Sequence, residues 1–184
     1  MRVLLLYQRL HKRLVQATAL ILVLFVTTNA IADMQFVSSE QFLKESFING
    51  VPKQKVLWLS KTEISQIEKI LGHAPLLLRQ RYWQEGEKTV WILEEIGKEE
   101  PITAGFVIDQ SKVSQVSVLT YRESRGWEVR YPSFLKQFVN AVLNEEMQLN
   151  QSIDGISGAT LSVSAMKKMA RLALYLDTLS KKSA

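Results

Sequence analysis

Cysteine is absent from all 184 residues, and histidine occurs only at His11 and His73. Without thiols there can be no disulfide, thiolate metal site, cysteine-held iron–sulfur cluster, c-type haem attachment or thiol nucleophile. One histidine beyond the leader gives no basis for a transition-metal site, and a helix-end or surface role suits His73 better. Redox chemistry, if the chain performs any, therefore has to come from a bound organic cofactor. No Gly-x-Gly-x-x-Gly follows a strand, so a Rossmann dinucleotide site is not indicated. There is no internal repeat and no low-complexity linker.

A charge excess is also missing once the first residues are set aside. Arg2, Arg9, Lys12 and Arg13 make a basic start, Leu14 to Val26 is apolar apart from Gln16 and Thr18, and Ala30-Ile31-Ala32 reads as a small-residue cleavage signal. Residues 1–32 are expected to be a secretory signal peptide, cut before Asp33, which makes the protein periplasmic. The apolar run is short of the roughly 20 residues a span needs, so an inner-membrane anchor is the lesser alternative if the leader is retained. The whole chain carries +5, but 19 basic and 18 acidic residues remain after the leader, a net +1. The basic balance belongs to the export signal and gives no footprint for nucleic acid. Residues 33–184 are expected to form one domain, large enough to bury roughly 68–70% of its unfolded surface and stand on its core.

The pattern along that domain predicts an α+β fold, a largely antiparallel twisted sheet packed with helices. A first helix is expected over 38–49, capped at Ser38 or Ser39, with Phe42, Phe47 and Ile48 as apolar contacts. A short strand follows at 55–59. Ser60-Lys61-Thr62-Glu63 fits a capping box, opening a helix with Ile64, Ile67, Ile70 and Leu71 on one face and a stop at Gly72. Strands are expected at 76–83 and 89–96 around Glu85-Gly86-Glu87-Lys88, and at 102–109 and 113–121 around Gln110-Ser111-Lys112. Ser133 opens a further helix over Phe134–Val139. Apolar Val163, Met166, Ala170, Ala173 and Leu174 repeat at helical spacing near the end.

What precedes that last helix carries the chemistry. Asp154-Gly155-Ile156-Ser157-Gly158-Ala159-Thr160-Leu161-Ser162 sets two glycines among three hydroxyls before a helix start. Glycine permits a sharp turn and close backbone approach. The first N–H groups of a helix lack intrahelical partners and favour an anion. The plain reading is a turn with Thr160 or Ser162 as helix cap, and Asp154 as an Asx-type turn. The sharper one is a phosphate site, and the two are compatible.

This stretch resembles the flavinylation motif of the FMN-binding domain family, which includes small periplasmic subunits of the Rnf and sodium-pumping NADH:quinone oxidoreductase complexes. The resemblance implies FMN joined through its phosphate to the hydroxyl of Thr160. It also implies a flavin transferase that uses FAD and Mg²⁺, and recognition through Asp154, Ser157, Gly158 and Ala159, with Gly155 and Ser162 completing the cofactor site. Ser162 departs from the family, which often has Thr at that position. Asp154 is of the right type to help hold the transferase metal. The implied function is electron transfer between a membrane-bound or periplasmic redox partner and another acceptor, with no substrate turnover of its own.

A second stretch, 122–132, holds Glu123, Gly126, Trp127 and Tyr131 among arginines. Aromatics beside cations can stack on a flavin ring, or equally line the core rim. Glu123 and Gly126 resemble the family's loop ahead of the motif. Two other functions compete. One is a hydrolase with Ser157 in a Gly-x-Ser-x-Ala elbow, opposed by the lack of any histidine after His73. The other is a non-catalytic periplasmic binding or assembly module whose 154–162 loop is only a capped turn.

Overall fold

The computed structural model describes residues 37–182. The proposed leader lies outside them. Five strands run in chain order as an antiparallel meander: β1 (Lys55–Trp58), β2 (Arg79–Glu85), β3 (Lys88–Ile96), β4 (Pro101–Asp109) and β5 (Lys112–Tyr121). The fold is α+β, as expected, and every strand pair is antiparallel. Two hairpins close with two-residue turns. Gln110 and Ser111 both take positive φ, 49° and 61°. That geometry matches the right-handed twist of the flanking strands.

Alternation along the strands gives the sheet two apolar faces. Trp91, Leu93, Ala104, Phe106 and Ile108 face one side, with the helices α2 (Lys61–Leu71) and α4 (Thr160–Lys182) completing that core. Val90, Val107 and Leu119 face the other, against Phe42, Leu43 and Phe47 of and just after α1 (Ser39–Ser46). Leu119 and Val118 point to opposite faces beside a register shift in the β4–β5 ladder, a bulge that re-aims Tyr121 into the larger core.

The capping box forms: Ser60 Oγ accepts from Glu63 N, and the Glu63 carboxylate accepts from Ser60 N at 2.6 Å. Gly72 ends α2 in the left-handed region, φ 82°. Ser38 caps α1. Three expectations need correction. Ile48 is no core contact but 93% exposed, since α1 stops two residues earlier. The strand expected from Leu76 begins at Arg79, and Leu76–Leu78 stay exposed. The helix expected over 134–139 is one turn, α3 (Pro132–Leu135), continued as a 3₁₀ turn, Lys136–Phe138.

Helix α4 crosses β3, β4 and β5 and is held at its far end by a buried chain of polar contacts. Trp91 Nε1 donates to Thr89 Oγ1 at 2.9 Å, and that hydroxyl donates to Asp177 Oδ1 at 2.7 Å. Lys181 Nζ lies 3.0 Å from Asp177 Oδ2. Asp177 is fully buried, with Thr89 and Lys181 as its polar partners. Among the described residues, no helix is long and apolar enough to cross a membrane.

Candidate functional site

The start of α4 is built from its backbone outward. Ala159 N donates to Ile156 O at 3.0 Å, and Val163 N donates to Ala159 O at 2.9 Å. Ala159 therefore holds the cap position and Thr160 is the first helical residue. The expectation that Thr160 or Ser162 caps the helix is corrected. A methyl group cannot accept from the first N–H groups, so the cap position stabilises this end roughly 1 kcal/mol less than Ser or Asp would. Gly158 takes φ +76°, with open space where a Cβ would stand. The turn thus leaves Thr160 exposed at the helix N-terminus.

Thr160 borders two clefts. One, of about 550 Å³, lies between the 158–162 turn and the 122–126 loop, with Lys98 and Arg125 as its cations and Glu123 in its wall. The other, of about 470 Å³, runs down α4 along Thr160, Ser164, Lys167, Lys168 and Arg171, opposite the C-terminal end of α2. Gly155 lines the second. Both are in the size range of small-ligand sites.

The loop and the motif touch directly. Gly126 has φ +79°, and a Cβ there would lie 2.7 Å from Ala159 Cβ and 2.9 Å from the Tyr121 hydroxyl. Only glycine permits both this backbone and this approach. Tyr121 ties the contact together. Its O–H donates to Arg125 O, and Ser162 Oγ, 3.1 Å away, donates back to it. Burial pushes the Tyr121 phenol up, partly opposed by the Ser162 hydrogen bond, so it stays protonated and can serve as donor. Ser162 is only 4% exposed. Its small hydroxyl fits between α4 and β5.

Glu123 faces both ways. Burial pushes its carboxyl up. Backbone N–H bonds from Glu99 and Glu100 at 2.8 and 3.2 Å, another from Lys98, and the Lys98 charge outweigh that and hold it below the usual range. It fastens the 97–100 loop to the cleft wall. Asp154 is exposed, and its N–H donates to Gln137 Oε1 at 2.8 Å, anchoring the motif to the 3₁₀ turn. Ser157 is exposed within the turn. Trp127 and Tyr131 pack edge to face at 5.2 Å, with Arg130 5.8 Å from the Trp127 ring. They are half-exposed and line neither cleft, although Trp127 directly follows the Gly126 contact.

Sequence reasoning thus brought Glu123 and Gly126 to the motif and missed Tyr121, Lys98 and Gln137. Tyr121 had one usable signal, a polar aromatic ending an apolar strand two residues before Glu123. Lys98 and Gln137 had none. His73, read as a helix-end residue, also holds an ion pair. Its Nδ1 lies 3.0 Å from Ala74 O and its Nε2 3.0 Å from buried Glu95, which Lys168 also reaches at 3.0 Å. Both ring nitrogens face acceptors, which favours the imidazolium.

Residues 97–175 match the model of a protein family described as FMN-binding domain. The matched span contains Glu123, Gly126 and the whole 154–162 stretch. No curated protein matches the chain.

Proposed function

Taking as premise that residues 97–175 are an FMN-binding domain, we propose that Thr160 carries FMN as a phosphoester and that the protein is an exported electron carrier. The observation that carries this reading is the placement of Thr160: an exposed threonine on the first residue of a 23-residue helix, lining two clefts. The residues around it suit the group. A phosphodiester there meets the positive end of the α4 dipole, with Lys98 and Arg125 in the adjoining cleft. Ala159 offers no competing side-chain oxygen. Gly158 leaves room for a bulky substituent and for the enzyme that adds it. Bound FMN would supply one- and two-electron chemistry. Tyr121, Ser162 and Gly126 position the turn from beneath, and Trp127, next to Gly126 in the chain, packs with Tyr131 to offer aromatic surface nearby.

Attachment from FAD would form the Thr160 Oγ–P bond, break the pyrophosphate and release AMP, with the hydroxyl proton passing to solvent or an enzyme base. A transferase using FAD and Mg²⁺ is the implied partner, and Asp154 is exposed where such an enzyme can reach it. The redox partners are a membrane-bound or periplasmic donor and a further acceptor.

The test is the intact mass of the protein produced with and without an active flavin transferase in the exported compartment. A gain equal to FMN less one water, mapped to the peptide holding Thr160 and absent in a folded Thr160→Ala variant, is expected. No gain, with the transferase active on a control, would replace this reading with the binding-module alternative.

A further inference from the structure

Among the described residues, exposed large apolar side chains concentrate at the β1–β2 edge. Helix α1 lies against Val90, Val107 and Leu119, which belong to β3, β4 and β5. Among the described residues, Trp83 of β2 reaches the edge of that cluster, while Val56, Trp58, Arg79 and Arg81 on the same face stay exposed. The cross-strand pairs there are Trp58 opposite Arg79 and Val56 opposite Arg81. Trp58 is 68% exposed, with the Arg79 guanidinium 5.6 Å from its ring.

The leucine run beside it adds to this surface. Leu76 is 93% exposed, and Leu77 and Leu78 are each about 60% exposed. Leu59 N donates to Leu78 O at 3.0 Å, which fixes the run at the end of β1 next to Trp58. Six of the eleven large apolar side chains exposed among the described residues fall in segments 51–58 and 76–78. That concentration sets them apart from the scattered apolar residues any surface carries.

The charges in these segments have one sign. Residues 50–58 and 73–84 contain Lys53, Lys55, Arg79 and Arg81 and no Asp or Glu; Arg79 and Arg81 share the face of Val56 and Trp58, while Lys55, opposite Tyr82, lies on the other face. The chain beyond the leader is close to neutral, so this imbalance is local. Exposed Leu and Trp flanked only by Lys and Arg is the composition of a surface that inserts apolar tips between headgroups while its cations meet lipid phosphates.

We propose that the β1–β2 edge, with the 76–78 run, docks on an anionic phospholipid surface. Such docking holds the protein on the membrane by a face formed from elements other than those that present Thr160.

The test uses the full chain and a local readout, so it does not depend on how the leader behaves. Vesicles of phosphatidylethanolamine and phosphatidylglycerol with brominated acyl chains are mixed with wild type and Trp58→Phe. Bromine quenches tryptophan emission only at contact range. Quenching of the wild type is expected, most of it lost in Trp58→Phe and reversed by high salt. Arg79→Gln with Arg81→Gln should weaken vesicle binding roughly tenfold or more, since each cation near an anionic leaflet adds measurably to binding. These side chains are exposed, and unchanged circular dichroism checks the variants' fold. Equal quenching of wild type and Trp58→Phe would overturn the proposal, as would equal quenching on brominated zwitterionic phosphatidylcholine. A dimer formed without vesicles and abolished by Leu77→Ser would also overturn it, assigning the face to a second copy of the chain.

Discussion

Three glycines near the motif separate two effects that usually come mixed, and replacing each with alanine measures the contact beneath Thr160. Gly155 has neither a positive φ nor any atom within 4 Å of a new Cβ. Gly158 has the positive φ, +76°, but open space. Gly126 has both the positive φ, +79°, and a Cβ position 2.7 Å from Ala159 Cβ. Alanine in the left-handed region costs about 1–2 kcal/mol. Overpacking against fixed neighbours adds about 1–3 kcal/mol. Stiffening the unfolded chain returns about 0.4–1 kcal/mol in every case. Gly155→Ala should thus be neutral or slightly stabilising, Gly158→Ala should lose about 1 kcal/mol, and Gly126→Ala about 2–4 kcal/mol. For a domain of this size 1 kcal/mol moves Tm by roughly 2–4 °C, so Gly126→Ala should melt roughly 4–16 °C lower. Thermal circular dichroism and urea titration, with m unchanged, measure the series. If Gly126→Ala falls no further than Gly158→Ala, the loop does not press on Ala159 and the account of how Thr160 is positioned is wrong.

Two other perturbations address the rest of the molecule. Asp177→Ala leaves the buried Thr89 hydroxyl without its acceptor, while Lys181 keeps Glu87 at 3.4 Å, and should cost about 1–3 kcal/mol by urea denaturation, against a smaller loss in Asp177→Asn, which keeps an acceptor for Thr89. His73 has its pKa raised, chiefly by its hydrogen bond to Ala74 O and further by Glu95, against desolvation. The folded state therefore holds the proton more tightly. Its contribution is complete below the unfolded value near 6.5 and is lost as pH rises through the higher folded value. Stability measured from pH 6 to 9 should decline over that window in wild type, and the step should vanish in His73→Gln. A step of the same size in the variant would assign it elsewhere.

Local rules were strong where chain neighbours decide the outcome. Ser60 and Glu63 announce their capping box, Gly72 its helix end, and Gln110-Ser111 its hairpin, because each depends on residues within one turn of chain. The motif was legible for the same reason, as a glycine turn running into a helical pattern. What failed depended on tertiary burial. Leu76 to Leu78 read as strand by composition, yet the ladder begins at polar Arg79, because β1 is too short to pair with them beyond Leu78. Hydroxyls at 160 and 162 read as caps, yet helix phase puts alanine at the cap position and turns Ser162 inward to Tyr121. That inward hydroxyl, and the approach of Gly126 to Ala159, join segments more than 30 residues apart, a separation no spacing rule reports.

The sheet order carries a consequence for how the chain assembles. Neighbours in sequence are neighbours in space through all five strands; β2 to β5 close as hairpins over short loops at low entropic cost, while β1 reaches β2 through helix α2. Helix α4 is different: its Asp177 meets Thr89, 88 residues earlier. We expect α4 to dock after the meander has formed, which pulse-labelled hydrogen exchange would show as strand amides protected before those of α4, and the reverse order would disprove. The turn before Thr160 would then acquire its shape at the last step of folding, and on the function proposed above a transferase that reads that shape would act on finished molecules and pass over unfinished ones.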